Sequence, residues 1–217
     1  MKKNSYLKKH KYLVCILVAA GLSAIAFACY GLFWNKATYD ARYIAARETE
    51  MWKAYYSKDK TKLAWNLVQF LSYQFGISRY EAGEIARLLA ESAMKFKGAK
   101  DGHYDVALPS LIEAYAKIRV YSGLKFDPEK VARADLAWWI DRRNPKRNSP
   151  EMVGRGITNL CELLYGYSHP GFDRAGFLRA QAAYIRYQGG ENCDWEKVEE
   201  LLVEAYSALK EGIDRTN

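Results

Sequence analysis

The sequence has no acidic residue before Asp40, although Lys2, Lys3, Lys8, Lys9 and Lys11 all fall in its first 11 positions. The formal charge of +8 is therefore largely a property of the N-terminus: beyond residue 34, 28 basic residues face 25 acidic ones, a net +3. That balance is ordinary for a domain and lends no support to nucleic-acid binding. Histidine is also scarce: His10, His103 and His169 lie in three separate segments without H-E-x-x-H or E-x-x-H spacing. Cys15, Cys29, Cys161 and Cys193 offer no C-x-x-C pair, so neither a metal site nor a cofactor is expected. Alternating strand-like runs are missing as well, which leaves an all-α class.

What the N-terminus does contain is an apolar run. Residues 12–34 carry no charge, and a helix of about 23 residues spans the roughly 30 Å hydrocarbon core of a bilayer. Tyr30 and Trp34 put amphipathic rings near its end, where interfacial aromatics sit. The lysine-rich flank predicts a cytoplasmic tail over residues 1–11 and an extracytoplasmic domain, periplasmic in a Gram-negative cell. The lipid bilayer is thus an expected partner through residues 12–34. A rival reading is a cleaved signal peptide, because Ala26-Phe27-Ala28 before Cys29 has the small-x-small form of a cleavage site. The apolar run continues past that site, which favours a retained anchor.

Residues 35–51 hold helix formers and few breakers, so a helical stalk is expected there, with a soluble all-α domain over residues 52–217. Helix starts recur along that domain. Ser78 with Glu81 forms a capping box, while Asp127-Pro128-Glu129 and Ser149-Pro150-Glu151 place proline in a first turn. Asp173 and Asp194 are further candidate caps. Apolar residues between these points keep helical spacing, as in Leu63, Leu67, Phe70 and Leu71, or Val198, Leu201, Leu202 and Ala205. Starts every 21–24 residues or so suit a helix plus a short loop, and hence antiparallel hairpins. Two such pairs resemble tetratricopeptide hairpins. One runs from Ala86 to Ala93 and on through Tyr104, Ala107, Leu111 and Ala114; the other joins Phe177, Ala180 and Tyr184 to Trp195, Leu202 and Ala205. The resemblance implies close helix approach at Ala107, Ala114 and Ala205 and a protein-binding role. Departures from it are the longer loops at 97–103 and 189–193 and Val198 where a small residue is usual. The expected architecture is a tetratricopeptide-like array or an irregular helical bundle.

The most distinctive segment is Ala134 to Arg143 with the following Asn144-Pro145-Lys146-Arg147. Trp138 and Trp139 are about 100° apart on a helix, so they cannot share one core direction and become candidate aromatic contacts. Arg142, Arg143, Lys146 and Arg147 are candidate contacts for an anionic partner, or alternatively a wet helix end that complements the helix dipole. Glu84 and Glu91 are seven apart and can share a face, but Arg87 between them favours a solvated, paired surface over an acid–base pair. In an oxidising compartment Cys161 and Cys193 can pair as a disulfide, whereas Cys161 in NLCELLYG reads as a small buried apolar residue, which favours the unpaired form. The 17 tyrosines suit helix packing and also a protein-binding surface. No catalytic constellation emerges. The leading expectation is a membrane-anchored protein-interaction or complex-assembly module with possible self-association as a further property. The alternative is an extracytoplasmic enzyme or a binder of a small anionic ligand.

Overall fold

Side-chain caps begin most of the helices. Asp40, Asp59, Ser78, Asp127, Ser149 and His169 each accept a hydrogen bond from a backbone N–H of the turn they open, which satisfies donors that have no intrahelical partner. The computed structural model describes residues 18–27, 30–31, 34–99 and 102–214. From Ala41 onward it contains α1 (Ala41–Ser57), α2 (Lys60–Phe75), α3 (Arg79–Gly98), α4 (Leu108–Ser122), α5 (Pro128–Arg143), α6 (Pro150–Tyr165), α7 (Pro170–Gly189) and α8 (Trp195–Asp214). Single 3₁₀ turns at Tyr104–Ala107 and Gly190–Asn192 lead into α4 and out of α7. The capping box at Ser78 and Glu81 forms in both directions, and Gly166 ends α6 with φ 82°, a left-handed conformation that suits glycine.

Each helix packs on the next, and α1 also packs on α8, so the succession of hairpins closes on itself. The chain is all-α with packed consecutive helix pairs, the coarse architecture of a helical-hairpin repeat. Closure distinguishes it from an open superhelix. Short connections make neighbours antiparallel, so the C-terminal ends of α1, α3, α5 and α7 lie with the N-terminal ends of α2, α4, α6 and α8 at one end of the ring. Ala107, Ala114 and Ala205 are buried, at 0%, 0% and 1% exposure. Glycine permits a close crossing of α6 and α7: a Cβ on Gly176 would stand 2.6 Å from the Gly154 carbonyl oxygen and 2.6 Å from Thr158 Oγ1. Here α6 and α7 touch backbone to backbone.

Three expectations are corrected. The fold was expected to begin with a transmembrane helix over residues 12–34, but no helix among the described residues is long and apolar enough to cross a membrane. Residues 12–17, 28–29 and 32–33 of the expected span lie outside the described residues. The expected stalk, 35–51, contains most of α1, where Ile44, Ala45, Glu48 and Thr49 are completely buried, so the packed unit starts ahead of Trp52. Asp173 lies inside the first turn of α7, because His169 caps that helix through Nδ1, which accepts from Gly171 N–H at 3.0 Å.

Candidate functional site

The cations singled out around the α5–α6 corner go to different neighbours. Arg143 donates to the Phe96 and Lys97 carbonyl oxygens at 2.8 and 3.2 Å, completing the C-terminal end of α3. Arg147 pairs with Asp141 at 3.0 Å, and the Arg142 guanidinium lies 5.8 Å from the Trp52 ring centre on α1. Lys146 is exposed. The tryptophans diverge as adjacent helix positions must: Trp138 donates to Asp135 at 2.6 Å, whereas Trp139 meets Phe96 edge to face. Glu84 accepts from Tyr121 and pairs with Lys117, while Glu91 pairs with Lys95 and Arg87 and accepts from Ser110. The two carboxylates tie α3 to α4. Arg87 pairs with Glu91, not with Glu84.

Two arginines of α7 that no sequence motif marked are more consequential. Arg179 Nε lies 3.0 and 3.2 Å from the two Glu48 oxygens and Nη2 lies 2.6 Å from Oε1. Tyr206 also donates to Glu48, so α1, α7 and α8 meet at one carboxylate. Burial works against the Arg179 charge, but the Glu48 carboxylate more than offsets it and raises the guanidinium pKa. Across the centre, Asp135 accepts from Tyr115 at 2.9 Å and from Trp138. Burial pushes Asp135 up to about 6 against the pull of those bonds and of Arg179. Burial likewise pushes the Cys161 thiol up to about 12, consistent with an inert core residue.

Arg186, two turns further along, has another environment. It lines an open cleft of about 480 Å³ with Lys53, Tyr56, Gly190, Glu191 and Trp195. Its guanidinium lies 3.4 Å from the Tyr56 ring centre and 5.3 Å from that of Trp195, and Lys53 Nζ approaches the Trp195 ring at 5.6 Å. Gly190, at φ 51° and ψ −127°, turns the chain so that its carbonyl oxygen accepts from Arg186 Nη1 at 2.8 Å. Burial raises the Cys193 thiol pKa, opposed by Arg186 and Lys53 and reinforced by Asp194. Tyr56 lines this cleft, and Tyr55, Tyr184 and Tyr187 are exposed on the last turns of the same two helices, on the ring end that also carries Arg142, Arg143, Lys146 and Arg147.

A signal for both arginines was present in the sequence. Phe172, Ala175, Arg179, Ala182 and Arg186 recur at intervals of three and four, one stripe of a helix. A stripe of that spacing puts Arg179 and Arg186 on the same inward face as the alanines. Among the described residues, no group of three or more His, Cys, Asp or Glu side chains is arranged to hold a metal ion. No protein-family model, curated protein or solved structure matches the chain.

Proposed function

We propose that this chain is a protein-interaction module, tetratricopeptide-like in its hairpins but closed into a ring, that docks an acidic partner or helps assemble a complex at its cation–aromatic end. The observation that carries the reading is the cleft in which Tyr56 and Trp195 stand with Lys53 and Arg186, at the end of the ring where α1 and α7 also expose Tyr55, Tyr184 and Tyr187. Tyrosine gives contact area at little rotamer cost, and arginine with tyrosine and tryptophan dominates interface hot spots. Arg142 and Lys146 extend the basic character of that end toward the α5–α6 corner. A cleft furnished with cations and rings suits holding an acidic partner.

The test compares two ends of one molecule. Replacing Tyr55 and Tyr187 by serine leaves the helical spectrum intact and abolishes recovery of a fixed-stoichiometry acidic partner from the native source, whereas Lys125→Glu at the opposite end leaves recovery unchanged. Equal recovery by all three proteins contradicts the proposal.

A further inference from the structure

Buried charges in proteins are paired, because transfer of an uncompensated ion from water is costly. Arg179 obeys that rule through Glu48. Arg186 does not: it is 9% exposed, its Nε is buried without a hydrogen-bond partner, and no carboxylate pairs with it among the described residues. Its one hydrogen bond goes to the neutral Gly190 carbonyl. The ring faces of Tyr56 and Trp195 offer quadrupole attraction, which stabilises a cation without neutralising it. The second cation of the cleft, Lys53, pairs with Glu50, but Glu50 is shared with Lys62, at 2.9 and 2.5 Å. Lys53 therefore shares its counter-ion with Lys62, and among the described residues neither the rim residue Glu191 nor the nearby Asp194 forms an ion pair with Arg186.

We propose that the cleft bounded by α1, the end of α7 and the start of α8 is an oxyanion-binding pocket, in which Arg186 and Lys53 hold a carboxylate or phosphate group between the rings of Tyr56 and Trp195. Guanidinium donors in a fixed fork suit such groups, and ring stacking holds the fork in orientation. The volume, about 480 Å³, admits a group larger than the anion itself. This pocket stands apart from the docking proposal, since a small free phosphate satisfies it as well as a partner's carboxylates.

Nitrogen-15 NMR of the full chain reads the Arg186 Nε–H and Trp195 indole signals directly. Sodium phosphate and a tetraglutamate peptide are titrated at ionic strength held constant with sodium chloride. At least one probe should shift both signals to saturation. Arg186→Met should weaken that binding about tenfold or more, and Lys53→Gln, which removes a partly exposed cation, about three- to fivefold. Saturation by phosphate alone assigns a free phosphate ligand; saturation by the peptide alone assigns carboxylates. Shifts that remain linear with both probes overturn the pocket. Should Arg186→Met unfold, the Lys53→Gln protein decides, and an unchanged dissociation constant in it overturns the pocket.

Discussion

Replacing Glu48 by glutamine removes the charge at which α1, α7 and α8 meet and leaves the side chain's shape nearly intact. Glu48 is 1% exposed and Arg179 24% exposed at the side chain, so the guanidinium loses its counter-ion while most of it stays out of water. Breaking a buried pair on one side costs about 3–5 kcal/mol. The residual exposure of Arg179 and the nearby Asp135 place this case at the lower edge, about 3 kcal/mol. Arg179→Met alone leaves Glu48 buried with only Tyr206 to donate to it, at a similar cost. The double variant lacks both charges, and its cost should fall short of the summed single costs by about 2 kcal/mol. Urea unfolding followed by circular dichroism at pH 7 measures all four proteins, with an unchanged slope guarding against altered compactness. A Glu48→Gln cost below about 1 kcal/mol, or additivity within about 0.5 kcal/mol, refutes the idea that this pair joins the first helix to the last two.

Asp135 supplies a pH signature. Its folded pKa, about 6, is above the ordinary 3.8, so the folded protein keeps a proton the unfolded chain releases. Its contribution to stability is present below about pH 4 and is lost as pH rises through about 6, a loss on the order of 3 kcal/mol. The difference between wild type and Asp135→Asn should show that slope, and a difference flat from pH 4 to 6 contradicts it. Gly176→Ala forces a Cβ against the Gly154 carbonyl and should destabilise by about 2 kcal/mol. Gly83→Ala meets nothing within 4 Å in α3 and should stabilise by about 0.5–1 kcal/mol, so thermal melts of opposite sign are expected. Ser78→Ala breaks the capping box of α3 and should cost about 1 kcal/mol, with faster amide exchange at Glu81, whose N–H donates to the Ser78 hydroxyl.

Local chemistry was legible in the sequence and long-range chemistry was not. The capping box at Ser78, the proline starts at Pro128 and Pro150, and Asp194, which accepts from Lys197 N–H at 3.0 Å, all involve residues within one turn of each other. His169 escaped notice because histidine is an uncommon cap. The placement of α1 was missed for a different reason: Ile44 and Ala45 with Glu48 and Thr49 make a half-polar stripe, and only the arrival of Arg179 and Tyr206 from far along the chain makes burial of Glu48 tolerable. The same holds for Lys53 and Arg186, which no spacing rule connects. Trp138 and Trp139 take different partners, Asp135 and Phe96, as adjacent helix positions pointing about 100° apart allow.

The docking proposal is tested most directly by site-specific photocrosslinking in the native source, with a photoreactive residue at position 187 beside the cleft or at position 125 on the opposite end. A single discrete adduct from position 187, lost when Tyr55 is changed to serine, and none from position 125, is the predicted result. Equal labelling from both positions, or none from position 187, contradicts it.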